Sequence, residues 1–120
     1  MDQKTIINEL KEEVKRFCEE RDWDKYHNAK DLAIGIVTEA SELLEHFRWK
    51  NGKEVEEQFK NPKKREEIED EIADVFHFLL RLAQRYNIDL ATVLKNKIEK
   101  NKLKYPVNKA KGSNKKYNEI

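Results

Sequence analysis

At 120 residues the chain can bury one hydrophobic core and is too short for two typical domains. Charged residues make up 41% and hydrophobic residues 38%, with only three Gly and two Pro, a composition that favours an all-α fold. The 25 basic and 24 acidic residues nearly cancel, so no global field argues for binding to nucleic acid or membranes, and one cysteine excludes an intramolecular disulfide or a Cys-based zinc site.

The first half of the chain predicts two helices. Asp2 is expected to cap the first, whose apolar residues recur every three or four positions. A polar and aromatic connector, residues 20–28, follows. Asn28, with Asp31 three residues later, resembles a capping box that starts a second helix over residues 29–48. The core face of the second helix is expected to consist of Leu32, Ile36, Ala40, Leu43, Leu44 and Phe47.

The second half predicts two more helices. Residues 50–61 are interpreted as a linking loop that could include a short helical turn. Asn61 as N-cap and Pro62 at the first helical position start a third helix that ends near Tyr86. Asp89 caps a fourth helix to about Leu103, and Pro106 stops it. We therefore predict a four-helix bundle domain over residues 1–104 and a basic C-terminal tail over residues 105–120.

The third predicted helix is apolar over more than one stripe. A helix that is apolar over most of its circumference is central in a fold or shared between subunits, so we expect a homo-oligomer. The apolar residues are Ile68, Ile72, Val75, Phe76, Phe78, Leu79, Leu80, Leu82 and Ala83.

The N-terminus becomes charged within a few residues, unlike a signal peptide. The longest apolar stretch contains His77 and Arg81 and is too short to span a bilayer. Cys18 falls on the apolar side of the first helix, where it acts as a small hydrophobic residue. A cytoplasmic protein without a membrane partner is the expectation. Residues 95–120 contain nine Lys and two Glu, a local charge of +7, which is typical of a solvated tail or an arm that contacts an anionic partner.

Two acidic pairs lie inside hydrophobic segments, Glu39 with Glu42 and Glu71 with Asp74. An α-helix turns about 100° per residue, so each pair spans about 60° and lies at the same flank of its helix's apolar stripe. Two helices packed through these stripes could bring four carboxylates together. The mutual repulsion would be relieved by divalent cations, and hard oxygen ligands suit Mg²⁺, with Mn²⁺ as a substitute.

Other interpretations of these residues stay open at this point. Acidic pairs at this spacing are common on solvated helix faces, and Glu67 with Asp70 is another example. A di-iron bundle would need Glu-x-x-His on two helices, whereas the chain offers only Asp74 with His77. His77 is better interpreted as a surface or interface residue, and His46 as a helix-flank residue, than as metal ligands.

The stretch from "EASELLEHFRWK" through "EEIEDEIADVFHFLLRLAQRYNIDLATVLKNKIEKNKLKYP" resembles the all-α NTP pyrophosphohydrolase superfamily, the MazG-like proteins. The resemblance is closest to the dCTP pyrophosphatase branch and covers nearly the whole chain. It implies that Glu39, Glu42, Glu71 and Asp74 are catalytic residues that hold Mg²⁺. It also implies a homotetramer, a dimer of dimers, that cleaves a nucleoside triphosphate to monophosphate and pyrophosphate for nucleotide-pool cleansing. Which glutamate acts as base, and which phosphorus is attacked, stay open.

The same resemblance implies a set of substrate contacts. Two tryptophans could stack on the base, and the stretch "DWDKYHN" would contact substrate. Without the resemblance, each of these residues is more simply a core, loop or solvated residue. The implied substrate-binding residues are Trp23, Tyr26, His27, Trp49, Phe78, Lys97 and Asn101.

Two departures bear on specificity. Phe78 stands where related dCTP pyrophosphatases have Tyr, and Val14 stands where a histidine is expected. A pocket that lacks a donor could accept several bases or a modified cytosine. The alternatives are a dUTPase-like specificity, since dimeric all-α dUTPases share the carboxylate pattern, and a non-catalytic helical oligomer that binds nucleotides or partners. Nucleic-acid binding by the Lys-rich C-terminus is disfavoured because that segment has only two aromatic residues, Tyr105 and Tyr117.

Overall fold

The computed structural model describes residues 1–119, and these contain helices and turns but no strand. The α-helices are α1 (Ile7–Glu20), α2 (Ala29–Glu45), α3 (Gly52–Gln58), α4 (Pro62–Arg85), α5 (Leu90–Lys104) and α6 (Val107–Ala110), with 3₁₀ turns at Asp24–Tyr26 and Tyr117–Glu119. The predicted all-α class is confirmed. None of the described helices is both long and apolar enough to cross a membrane.

The chain divides into two compact units, Met1–Asn87 and Ile88–Ile120. The second unit holds α5 and the polar C-terminal segment, so the predicted boundary after residue 104 falls inside it. The segment beyond α5 is partly structured, because it forms α6 and a 3₁₀ turn. The rings of Tyr105 and Tyr117 contact each other edge to face, with centroids 6.3 Å apart.

Three helix starts follow the predicted capping chemistry. The Asn28 side chain accepts a hydrogen bond from the Asp31 amide at 2.8 Å at the start of α2. Asn61 caps α4 by accepting from the amides of residues 63 and 64, with Pro62 at the first position. Asp89 accepts from the Thr92 amide at the start of α5. Each cap satisfies amide groups that have no partner inside their helix.

Two local predictions were wrong. Asp2 caps no helix, since the Met1 carbonyl accepts from the amides of Lys4 and Thr5 in a separate turn, and α1 begins only at Ile7 without a side-chain cap. Residues 52–58 form the helix α3 rather than a loop. Asn51 and Glu54 start α3 with a reciprocal capping box, which orders a seven-residue helix that propensity alone would not stabilise.

The core of the first unit lies where α1 and α2 pack against α4. Its fully buried apolar side chains are Cys18, Leu32, Ile68, Leu80 and Ala83. Ala40 and Leu44 were predicted to face this core and are exposed, so the buried stripe of α2 is narrower than the apolar pattern indicated. Burial of Cys18 is confirmed, and it raises the pKa of the thiol.

Candidate functional site

Three carboxylates of the predicted quartet meet where α2 packs against α4. Glu39 and Glu42 lie one turn apart on α2, and Glu71 faces them from α4. One carboxylate oxygen of each lies within 4.8 Å of the others. The i, i+3 spacing places the two α2 side chains on one face, and the packing of the helices supplies the third.

This cluster is only partly exposed to water. Oε2 of Glu39 and Oε2 of Glu71 are buried and accept no hydrogen bond from residues 1–119. Burial, together with the nearby Glu42 carboxyl, raises the pKa of Glu39 to about 7. The same causes raise the pKa of Glu71 above its ordinary value. Without a compensating group, the site disfavours full ionisation of its carboxyls.

The donor set fits a hard divalent cation. Oxygens that bind one Mg²⁺ at about 2.1 Å lie at most about 4.2 Å apart, so oxygens within 4.8 Å need only small side-chain rotations. The two buried oxygens without hydrogen-bond partners are the atoms that a cation would satisfy. Glu39, Glu42 and Glu71 are therefore the residues that could hold it.

Asp74 lies next to this cluster and outside the group of three. It is exposed, one α4 turn after Glu71, and its charge contributes to the raised pKa values of Glu39 and Glu71. His46, at the C-terminal end of α2, places Nε2 4.0 Å from Oε1 of Glu71 and partly offsets the rise in the pKa of that residue. The cluster thus has an exposed acidic side and a histidine at its other side.

A row of aromatic rings connects the start of α2 with the acidic part of α4. Neighbouring rings contact edge to face with centroids 5.6–6.3 Å apart, in the order His27, Trp23, Phe17, His77, Phe78. His77 and Phe78 follow Asp74 by one turn of α4. The row therefore provides an apolar, aromatic surface that begins beside the carboxylates.

The connector that carries Trp23 and His27 is attached to α4 by a buried arginine. Arg81 is 1% exposed. Its Nε donates to Nδ1 of His27 at 2.9 Å, one terminal nitrogen donates to Gln84, and the other pairs with Asp24. An arginine is normally exposed unless it is paired, and these partners satisfy its guanidinium.

Trp49 and Tyr26 are not members of this row. Trp49 follows the C-terminal end of α2, is 88% exposed and has a φ of 69°. The Arg48 guanidinium lies 4.7 Å from its ring centroid. Trp23 precedes α2 and Trp49 follows it, so the 17-residue helix lies between them in the chain. Tyr26 is exposed in the connector, near the Lys25 ammonium.

Lys97 and Asn101 lie one turn apart on α5 in the second unit, Lys97 exposed and Asn101 half-buried. Their predicted contact with substrate stays a prediction.

Sequence reasoning missed Phe17, His77 and Arg81 as parts of this region. His77 lies within an apolar run and Phe17 on the apolar stripe of an amphipathic helix, where the pattern indicates only core or surface. Arg81 gives no local signal, because its partners in the connector, His27 and Asp24, are 54 and 57 residues away in the chain.

Comparisons with known proteins agree with this arrangement. Residues 34–120, which include all four acidic positions, match the MazG-like family. The chain belongs to the MazG-like family. This MazG-like chain is 36% identical over 104 residues to dCTP pyrophosphatase 1 of Rattus norvegicus and of Homo sapiens, an alignment that covers 87% of the chain and 61% of each relative. It therefore spans about three-fifths of the length of these curated relatives.

A solved structure extends the comparison to the fold. A pyrophosphatase from Archaeoglobus fulgidus superposes on this MazG-like chain with a TM-score of 0.78 and 40% sequence identity, covering 83% of the chain and 92% of that protein. The all-α arrangement is thus shared with a structure described as a pyrophosphatase.

Proposed function

We propose that the chain is a Mg²⁺-dependent nucleoside triphosphate pyrophosphohydrolase that converts a dNTP, foremost dCTP or a modified dCTP, to the monophosphate and pyrophosphate. The observation that carries the proposal is the cluster of Glu39, Glu42 and Glu71, with two buried oxygens that accept no hydrogen bond from residues 1–119. A solvated acidic face would not leave such oxygens buried. The relatives named dCTP pyrophosphatase 1 support the substrate class.

We assign the roles of the acidic residues from their positions in the site. Glu39, Glu42 and Glu71 would hold the cation, with Asp74 as a fourth acidic group at the exposed side. A cation held there would neutralise part of the charge of the triphosphate and so favour attack by water. In the net reaction, water adds its oxygen to one phosphorus while the bond that links the α- and β-phosphates breaks. A carboxylate of the cluster would accept the proton of the attacking water.

The aromatic row would receive the base. Trp23 is 39% exposed, leaving part of its indole accessible, and base–aromatic stacking contributes about 1–3 kcal/mol per base. Phe78, at the end of the row near Asp74, would form a wall without a hydroxyl. Such a wall offers no hydrogen bond there, which is compatible with acceptance of a modified cytosine.

We also propose that the chain assembles into a homotetramer. Ile34, Val37 and Leu44 lie along an exposed stripe of α2, and Ile72, Phe76 and Leu79 along an exposed stripe of α4. Contiguous exposed apolar stripes are typical of contacts between subunits. Trp49 supports the same arrangement, because a bulky residue with a strained, positive φ and an exposed indole is typical of a ligand or subunit contact.

The test is product analysis with a panel of canonical and modified dNTPs and Mg²⁺. Monophosphate plus pyrophosphate from a cytosine nucleotide, abolished by EDTA, is the expected result. Glu42→Gln should lose this activity while Glu45→Gln, one turn further on the same helix, keeps it, since Glu45 pairs with Arg48 outside the cluster. The same products from dUTP would retain the chemistry and overturn the cytosine preference. Absence of turnover in folded, Mg²⁺-loaded protein would overturn the proposal.

A further inference from the structure

His27 is held by Arg81 in one hydrogen-bonding state. Nε of Arg81 lies 2.9 Å from Nδ1 of His27 and carries a hydrogen at every accessible pH. Nδ1 must therefore accept, and a neutral imidazole then carries its single proton on Nε2. Protonation of Nδ1 would place two N–H groups against each other.

The charges around His27 favour the same state. Arg81 and Arg85 of α4 lie close to it, and Arg85 also donates to the His27 carbonyl at 3.4 Å. Asp24 opposes them but is shared with both arginines, and His77 adds no compensating charge. Burial and the two arginines lower the pKa of His27 below its ordinary value.

Nε2, the other ring nitrogen of His27, has no partner in the first unit and is available to bind a ligand. Nε2 makes no hydrogen bond within residues 1–87, and it is not among the buried atoms that lack a partner, so it reaches the surface. The His27 ring lies 6.3 Å from that of Trp23. A stacking indole and a fixed N–H donor thus stand side by side at the end of the aromatic row.

We propose that Arg81 is a positioning residue that holds His27 as a neutral imidazole able only to donate from Nε2, and that this N–H binds an acceptor atom of the nucleotide base stacked on Trp23. The inference rests on the proposed function for the identity of the ligand. A fixed donor suits a base that presents an acceptor, such as the unprotonated N3 or the O2 of cytosine. It disfavours an N–H at the same position, as at N3 of uracil or thymine.

Arg81→Met and Arg85→Met form a matched pair for the test. Both remove an arginine of α4 that contacts the connector, but only Arg81 contacts the His27 ring. We expect ¹⁵N NMR of the wild type at pH 8 to show His27 as the Nε2–H tautomer. At the same pH, Arg81→Met should give mixed tautomers and a KM for dCTP about tenfold higher, with little change in kcat. Arg85→Met should retain the Nε2–H tautomer and a KM within a few-fold of wild type.

If Arg81→Met does not fold, a second pair of variants, at His27, tests the same inference without changing the buried arginine. His27→Gln places an amide N–H near the position of Nε2. The shorter amide of His27→Asn reaches only the position of Nδ1, where its oxygen accepts from Arg81, and offers no N–H near Nε2. We expect His27→Gln to keep the KM within a few-fold and His27→Asn to raise it about tenfold.

Three results would overturn the inference while the proposed function stands. They are an Nδ1–H tautomer in the wild type, an equal KM in the two arginine variants, and equal effects of His27→Gln and His27→Asn in an active enzyme. Failure of the wild type to hydrolyse any triphosphate would instead overturn the proposed function, and with it the assigned ligand.

Discussion

The ring of Phe78 lies directly against the backbone of Gly35, in the space that a side chain at Gly35 would occupy. A Cβ added at Gly35 would come within 2.5–2.8 Å of three atoms of the Phe78 ring. Glycine is therefore required at this crossing of α2 and α4 for steric reasons, since the residue lies inside a regular helix. The contact sets how closely the helix with Glu39 and Glu42 approaches the helix with Glu71.

Gly35→Ala should destabilise the protein by about 1–3 kcal/mol, because overpacking against a large ring outweighs the gain in helix propensity of about 1 kcal/mol. The measurement is the urea midpoint. In the Phe78→Leu background, where the ring is absent, Gly35→Ala should lower the free energy of unfolding much less than it does in the wild type. An unchanged or higher midpoint for Gly35→Ala alone would contradict the contact.

Glu39→Gln should stabilise the protein in the absence of metal at pH 8 and lower its activity by more than about 100-fold. The folded-state pKa of Glu39, about 7, lies above that of an unfolded glutamate. The protonated form therefore stabilises the fold at low pH, and that stability is lost as the pH rises through about 7. Glutamine removes this loss but also removes a candidate metal ligand.

Thermal unfolding at several pH values, with EDTA or with Mg²⁺, measures both effects of Glu39→Gln. Added Mg²⁺ should raise the wild-type Tm at pH 8 and leave that of the variant nearly unchanged. Glu45→Gln is the control and should respond to Mg²⁺ like the wild type. A lower Tm of metal-free Glu39→Gln would show that the carboxylate stabilises the fold.

Mg²⁺ affinity should rise with pH up to about 7 and then level off. The cation binds the ionised carboxylate, so a proton must leave Glu39 below its pKa of about 7, and the affinity falls about tenfold per pH unit for each proton displaced. Glu71, whose pKa is also raised, steepens the dependence. Isothermal titration calorimetry in buffers of different ionisation enthalpy counts the released protons. Affinity that is independent of pH from 5.5 to 8 would contradict the proposed ligand set.

Val37→Asp should dissociate the proposed oligomer. Val37 is 65% exposed on the apolar stripe of α2, and a carboxylate buried there without a partner would cost several kcal/mol at each contact. Light scattering coupled to size-exclusion chromatography measures the mass. Val37→Thr, nearly the same size and uncharged, should weaken assembly less. A wild-type monomer, or an intact tetramer of Val37→Asp, would exclude this stripe as the interface.

Local signals in the sequence were sufficient for most helix boundaries. Asn28, Asn61 with Pro62, and Asp89 cap their helices as predicted, because a cap depends only on residues within one turn. The start of α3 was missed although Asn51 and Glu54 carry the capping-box spacing. Asp2 failed as a cap because the chain turns at the Met1 carbonyl and the helix starts later.

The site was predictable only in part. Helical spacing placed Glu39, Glu42 and Glu71 together, since the apolar stripes that orient the helices are visible in sequence. The role of Arg81 could not be predicted from the sequence. Its burial depends on Asp24 and His27, which only the tertiary fold brings into contact with it.

The hydrogen bond from Gln58 to the main-chain carbonyl of His46, 2.6 Å long, makes the end of α2 depend on α3. Gln58 is buried, and its amide satisfies a carbonyl that the helix itself leaves without a partner. The two segments should therefore open together in hydrogen exchange, as one cooperative element whose loss also frees His46 from the neighbourhood of Glu71. A substitution in the short helix, which contributes no carboxylate to the cluster, would therefore shorten the time for which the cluster stays assembled.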